Sequence, residues 1–318
     1  MVEQPGLQRR VSMPRHLLQL EGVDAEGLTG LLDRARAHLP AARGESAPAR
    51  TMDGRLVAQM FFEDSTRTRL SFEAAAARLG GRSMALQGAG SSASKGETFL
   101  DTALNVDALG VDAMVVRTSI SGGAALLARN VRCAVINAGD GRREHPTQGL
   151  LDCLTILEVF GRFDGLRIAI VGDIANSRVA RSALHALTTL GAHVTLVGPP
   201  TLLPTSMAGV ARHRERVALS HDLDATLGGL DVIMMLRVQI ERAAGAGIAS
   251  DYRELFGLTH ARAGRLPGHC IVMHPGPVNR GVEVDDDVAD DMRRSQILRQ
   301  VTHGVAVRMA VLEHCMAR

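Results

Sequence analysis

The chain has 318 residues, 46% hydrophobic and 22% charged, an ordinary globular composition that argues against wholesale disorder and suggests two domains with ample core. Lysine plus arginine numbers 36 against 34 acidic residues, a net charge of +2, and there are 7 Phe, one Tyr and no Trp. That combination argues against an electrostatic or base-stacking nucleic-acid binder.

Short apolar runs alternate with amphipathic stretches from start to finish. The periodicity predicts a helix from Asp24, its N-cap, to about Leu39, then a strand at Leu56–Phe62 and a helix from about Thr66 to Leu79. A short strand near Ser83–Leu86, a helix over Glu97–Leu109, a strand at Ala113–Arg117, a helix near Ala124–Asn130 and a strand at Cys133–Asn137 complete a first set. A long helix from Pro146 to Phe160 and a loop at Gly161–Gly165 lead into a second set. Its strands are expected at Leu166–Val171, His193–Val197, Val217–Leu219, Asp231–Leu236 and Cys270–Met273, with a helix near Ser177–Leu190. Runs that are apolar on both faces predict parallel sheets covered by helices, an α/β fold. Asp290–Met316 is expected to be one long amphipathic helix with no following strand, packed back across the first domain.

Cys133, Cys153, Cys270 and Cys315 lie far apart and form no C-x-x-C pair, so they read as buried thiols of a reducing compartment and not as zinc ligands or a disulfide framework. No apolar run of about 18 residues occurs, and the N-terminus shows no apolar signal segment. A soluble, cytoplasmic protein without membrane contact is the expectation.

The stretch Phe61-Phe62-Glu63-Asp64-Ser65-Thr66-Arg67-Thr68-Arg69 carries the most chemistry. An apolar strand runs directly into three hydroxyls and two arginines at a helix start. Ser65 or Asp64 as a simple N-cap is one reading, but a cap needs a single acceptor. Arginines crowding the positive end of a helix dipole make sense when an anion sits there, held by free amides, hydroxyls and a guanidinium fork. Neither G-x-x-x-x-G-K nor G-x-G-x-x-G occurs at this turn, which argues against a nucleotide loop.

With that motif the chain resembles the aspartate and ornithine carbamoyltransferases. Further segments resemble the family in the expected order: Ser91-Ser92-Ala93-Ser94-Lys95-Gly96-Glu97, Arg117 at the end of AMVVR, and His145-Pro146-Thr147-Gln148. Gly172-Asp173 through Arg178, Arg237-Val238-Gln239-Ile240-Glu241-Arg242, and His274-Pro275-Gly276-Pro277 follow. The likeness covers about residues 15–315. It implies a carbamoyl-phosphate domain at residues 1–145, an aspartate domain at 146–290, and a C-terminal helix, 291–318, returning to the first.

It also implies roles. Ser65, Thr66, Arg67 and Thr68 would hold phosphate, Arg117 would reach phosphate and carbonyl oxygen, and His145 would donate to that oxygen. Gln148, the carbonyl of Pro277 and neighbouring Gly276 would receive the carbamoyl NH2. Arg178, Arg237 and Gln239 would bind aspartate, and Glu63 and Arg242 would pair on domain closure. Ser91 and Lys95 would enter from a neighbouring subunit of a homotrimer. Carbamoyl transfer needs no metal and no organic cofactor, only oxyanion donors, a clamp on the leaving group and an oriented amine. Whether regulatory chains or a dihydroorotase partner attach stays open.

Lys95 is the one lysine among 35 arginines, and a compact ammonium on a mobile loop suits a group that bridges two anions. Three rivals remain. Ornithine carbamoylation would call for a pocket suited to a cation, often with His-Cys-Leu-Pro where this chain has His274-Pro275-Gly276-Pro277. A non-catalytic scaffold would be expected to lose phosphate ligands, and a nucleotide-binding oxidoreductase would need the missing glycine fingerprint.

Overall fold

The computed structural model describes residues 15–47, 49–86, 97–238 and 252–317. Two parallel sheets form the frame. The first contains β1 (Leu56–Phe61), β2 (Arg82–Leu86), β3 (Ala113–Thr118) and β4 (Ala134–Asp140), in the spatial order β2-β1-β3-β4. The second contains β5 (Arg167–Val171), β6 (His193–Val197), β7 (Val217–Ser220), β8 (Val232–Met235) and β9 (Ile271–Met273), in the order β7-β6-β5-β8-β9. Central strands such as β8 are buried along their whole length, as helices on both faces require. β2 departs from that pattern. It is an edge paired only to β1, and Arg82 through Ala85 are exposed.

α1 (Ala25–Ala37) and α2 (Leu39–Arg43) precede β1; α3 (Thr66–Arg78), α4 (Phe99–Ala108), α5 (Gly123–Ala128) and α7 (Arg178–Thr189) connect strands within the sheets, and α6 (Pro146–Phe160) joins one sheet to the other. The short α8 (Tyr252–Phe256), α9 (His260–Arg265) and α10 (Asp286–Ala289) precede the long α11 (Ile297–Met316). Asp24 caps α1 by accepting from the Gly27 amide at 2.8 Å, a contact that typically stabilises a helix by about 1 kcal/mol. Leu28, Leu31, Leu32 and Ala35 form its buried stripe.

The last helix begins later than its periodicity predicts, at Ile297 and not Asp290. The Val272 amide donates to the Arg294 carbonyl and the Gln296 amide donates back to Val272, both at 2.9 Å. These bonds draw the chain before α11 alongside β9 and prevent an earlier helical start. α11 then packs against α1, α3 and α6. One apolar cluster runs unbroken from Val57 and Ile136 through Leu150, Leu154 and Ala310 to Ile168 and Leu196, so the two sheets share a packed seam. Among the described residues no helix is long and apolar enough to cross a membrane.

Strand order reverses between β1 and β3 in the first sheet and between β5 and β8 in the second. Ligands of open parallel sheets collect beyond the carboxyl ends of the strands at such points. Here the two reversal points face one another across one cavity.

Candidate active site

The cavity encloses about 520 Å³ and is lined by the segments that follow β1, β4, β5, β8 and β9, by Arg117 of β3, and by α3, α6, α7 and α11. Where β1 ends, Ser65 takes the N-cap position of α3 with φ −162° and ψ 91°, yet its hydroxyl makes no capping bond and the first turn has no acidic residue. The cap reading of Ser65 therefore fails on the side chain. The first amides of a helix lack internal partners, so this end presents N–H groups beside Ser65, Thr66, Arg67 and Thr68, all of which line the cavity. Ser71 donates to the carbonyls of Arg67 and Thr68 at 2.7 and 2.9 Å, stiffening that turn from behind. Burial, and secondarily Arg237, lower the pKa of Arg67 from its ordinary value.

Glu63 meets two of the expected ligand-binding arginines. Its Oε2 lies 2.9 Å from Arg178 Nη1 and 3.6 Å from Arg117 Nε. Arg178 stands at the first position of α7, where the macrodipole disfavours a cation, and the Glu63 carboxylate from the opposite sheet compensates. The Arg178 guanidinium also lies against Gly139, where a side chain would leave it no room, and donates to the Gly141 carbonyl at 3.3 Å. Arg117 donates to the Ala138 carbonyl at 3.4 Å. Glu63 was expected to pair with Arg242. That residue, with Ser91, Lys95 and Gln239, lies outside the described residues.

His145 holds the N-cap position of α6, with Pro146 at the first helical position, where its missing N–H costs nothing. Its backbone amide donates to Ser182 Oγ at 2.9 Å, and that hydroxyl donates to Glu144 at 2.8 Å. Glu144 also accepts the amides of Leu20 and Glu21, so a buried carboxylate ties the chain start, α6 and α7 together. The imidazole is 4% exposed, and among the described residues its Nδ1 has no hydrogen-bond partner. Burial first, then Arg117, Arg178 and Arg308, hold its pKa well below the ordinary histidine value. A neutral ring surrounded by cations follows, able to donate one N–H without carrying charge.

Gln148 stands one turn later on α6 and lines the same cavity. Beyond β9, His274 Nδ1 accepts the Gly276 amide at 2.7 Å while its Nε2 meets Glu283 at 3.1 Å, a geometry that assigns the proton to Nε2. Burial lowers the pKa of His274, in keeping with a neutral ring. The turn thus shaped carries Gly276 at φ +61° with its backbone pressed against the Arg67 guanidinium. Gly276, Pro277 and Arg237 join Ser65, Thr66, Arg67 and Thr68 around the cavity.

Sequence reasoning missed Asp152, Gln300 and Arg308. Gln300 and Arg308 line the cavity, and Asp152 accepts from Gln148 and Gln300 behind it. The available signals were the four-residue spacing from Gln148 to Asp152, and Gln300, Gly304 and Arg308 on one face of the last helix. Among the described residues, Glu21, Glu144 and His185 form the one cluster with metal-ligand spacing. Glu144 there already accepts three hydrogen bonds, and none of the three lines the cavity. The cavity's own donors suit anions: a phosphate at the head of α3 and a developing oxyanion near Arg117 and His145.

Comparison with known proteins agrees with this geometry. Residues 15–158 match the carbamoyl-P binding domain of aspartate/ornithine carbamoyltransferase, and residues 164–315 match its Asp/Orn binding domain. The aspartate carbamoyltransferase catalytic subunit of Gluconobacter oxydans is 52% identical over 307 residues, 96% of either chain. Aspartate transcarbamoylase from Trypanosoma cruzi, solved with carbamoyl phosphate and aspartate, is 30% identical with a TM-score of 0.83, covering 93% of this chain and 95% of that one. Ornithine carbamoyltransferase from Pyrococcus furiosus, also 30% identical, superposes with a TM-score of 0.84 over 94% and 96% of the two chains. The chain, matched along both of its sheets by the two domains of one enzyme, belongs to the aspartate/ornithine carbamoyltransferase family.

Proposed function

We propose that this chain transfers the carbamoyl group of carbamoyl phosphate to the amine of L-aspartate, giving N-carbamoyl-L-aspartate and phosphate. The observation that carries the reading is the uncapped head of α3, with Ser65 uncommitted and Arg67 beside Arg237, in one cavity with Arg117 and neutral His145. The uncharged amine attacks the carbamoyl carbon, and negative charge gathers on the carbonyl oxygen. The bond between that carbon and the oxygen bridging it to phosphorus then breaks, its electron pair leaving on phosphate, and the new amide nitrogen gives up a proton to the departing phosphate. Ser65, Thr66, Arg67 and Thr68 hold the phosphoryl oxygens; Arg117 and His145 face the oxyanion; Gln148, Gly276 and Pro277 receive the NH2. Arg178, Arg237 and Gln239 receive the carboxylates of aspartate, while Glu63 and Arg242 serve closure.

Fold similarity does not separate aspartate from ornithine, because the two solved relatives superpose almost equally well. The second substrate is decided by charge. Arg237, directly after β8, favours a carboxylate side chain over an ammonium. Supplying carbamoyl phosphate with aspartate or with ornithine should give carbamoylated product from aspartate alone. Product only with ornithine, or with neither, would sink the proposal.

The working form we propose is a homotrimer of the cytoplasm, supplying pyrimidine synthesis, in which Ser91 and Lys95 of one subunit complete the site of the next. The four cysteines are buried and unpaired, which suits a reducing compartment. Lys95→Arg should lower kcat at least about a hundredfold despite keeping the charge, because a guanidinium fork imposes its own geometry. Trimers that mix Lys95→Arg chains with Arg117→Met chains should regain activity above either parent, since some sites then draw both native residues from different subunits. Mixed trimers no better than their parents would place Lys95 in its own subunit's site or outside catalysis.

A further inference from the structure

Behind the cavity lies a buried polar unit that no step above uses. Asp152 is fully buried on α6, and its Oδ1 accepts Gln148 Nε2 at 3.0 Å and Gln300 Nε2 at 2.8 Å. Gln300 Oε1 in turn accepts the His274 amide at 3.0 Å. Arg308, 4% exposed, lies with its guanidinium carbon 5.1 Å from the centroid of Phe72 and interacts electrostatically with Asp152. Among the described residues its Nε has no hydrogen-bond partner, nor does Asp152 Oδ2.

A buried carboxylate is costly and persists where its charge performs a task. Oδ1 accepts from both amides, so each of them presents its nitrogen to Asp152. With Gln148 Nε2 turned inward, its Oε1 is left on the cavity side as an acceptor. We propose that Asp152 is a positioning residue that fixes this orientation of Gln148, so that the site accepts an NH2 on the acyl carbon and rejects a methyl group. The inference rests on the carbamoyl-phosphate reading of the cavity and names the residue behind its selectivity.

Arg308 makes the dependence on charge sharp. Burial pushes the Asp152 carboxyl up to about 7, against the opposing pull of Gln300, Gln148 and Arg308. Asparagine has one oxygen to offer. It can turn that oxygen to the two glutamines and its NH2 toward Arg308, or face Arg308 with oxygen and force the amides around. The cation favours the second arrangement, which presents the Gln148 NH2 to the ligand.

Two stable ligands isolate the effect: phosphonoacetamide, and 2-oxopropylphosphonate, in which a methyl group replaces the NH2. Titration calorimetry on the intact assembly should find the amide at least about tenfold tighter in the native protein, the worth of one buried hydrogen bond. Asp152→Asn should abolish that ratio while leaving inorganic phosphate binding within about threefold. Asp152→Asn with Arg308→Met should restore the ratio, because the asparagine oxygen no longer faces a competing cation. Asp152→Leu with Arg308→Met, an apolar replacement of a buried charge pair that folds tend to tolerate, should lose the ratio again. The two double variants decide the matter even if the single variant does not fold. An unchanged ratio in Asp152→Asn, parallel weakening of all three ligands, or equal ratios in the two double variants would overturn the proposal. A native protein that separates the phosphonates yet makes no carbamoyl aspartate would refute the substrate reading and leave this inference standing.

Discussion

Arg117→Met is expected to lower kcat by roughly a thousandfold, the typical loss when one donor to a developing oxyanion is removed. Arg117 stands one residue before the end of β3 at the reversal point of the first sheet, 3.6 Å from Glu63 and facing the same cavity as His145. Methionine keeps much of the aliphatic stem and β3 is a central strand, so the fold should persist. A second signature separates a catalytic loss from a general one. Arg117 is one of three cations that push the His145 pKa down, after burial. Its removal must therefore raise that pKa, and an imidazole ionisation lying below the working range in the native chain should move upward toward it. Steady-state rates and an NMR titration of His145 check the two parts. A kcat within tenfold of native, with an unmoved imidazole, would remove Arg117 from the oxyanion site.

Gly276→Ala should cost about a hundredfold in kcat/KM, the scale expected when a binding group is displaced by roughly an ångström. The added methyl meets Arg67, whose guanidinium carbon would stand 2.6 Å from it, and alanine at φ +61° is itself strained by about 1–2 kcal/mol. Arg67 must move off the head of α3 for the methyl to fit. Weaker phosphate binding should accompany the lost activity, while thermal unfolding falls only a few degrees, because the packed seam between the sheets lies elsewhere. Native phosphate affinity in this variant would show that Arg67 does not need that position.

Much of the site was legible because its residues sit at strand ends, where apolar runs break abruptly into polar ones. Phe61 into Ser65, Val116 into Arg117 and Met235 into Arg237 are changes visible in a linear string. The Glu63–Arg178 pair was not legible, since its partners lie 115 residues apart and meet only when the two sheets face each other. Gln300 and Arg308 hid for another reason. Polar residues recur along α11, so these two look like part of its solvated stripe, and only the packing of α11 against α3 and α6 turns them inward. The exposed β2 and the delayed start of α11 have a common cause. Each depends on which neighbour a strand finds, a property of pairing and not of local periodicity.

The late return of α11 also has a consequence in time. A ribosome adding about 5–20 residues per second releases Thr66–Arg78 on the order of ten to forty seconds before Ile297–Met316, the helix that covers it. Throughout that interval the nascent first sheet must wait with Phe72, Ala75 and Leu79 uncovered. Gln300 and Arg308, which wall the pocket, are made after every other residue named around it. A chain that has not yet reached them carries the head of α3 without that wall, exposed to chaperones and proteases.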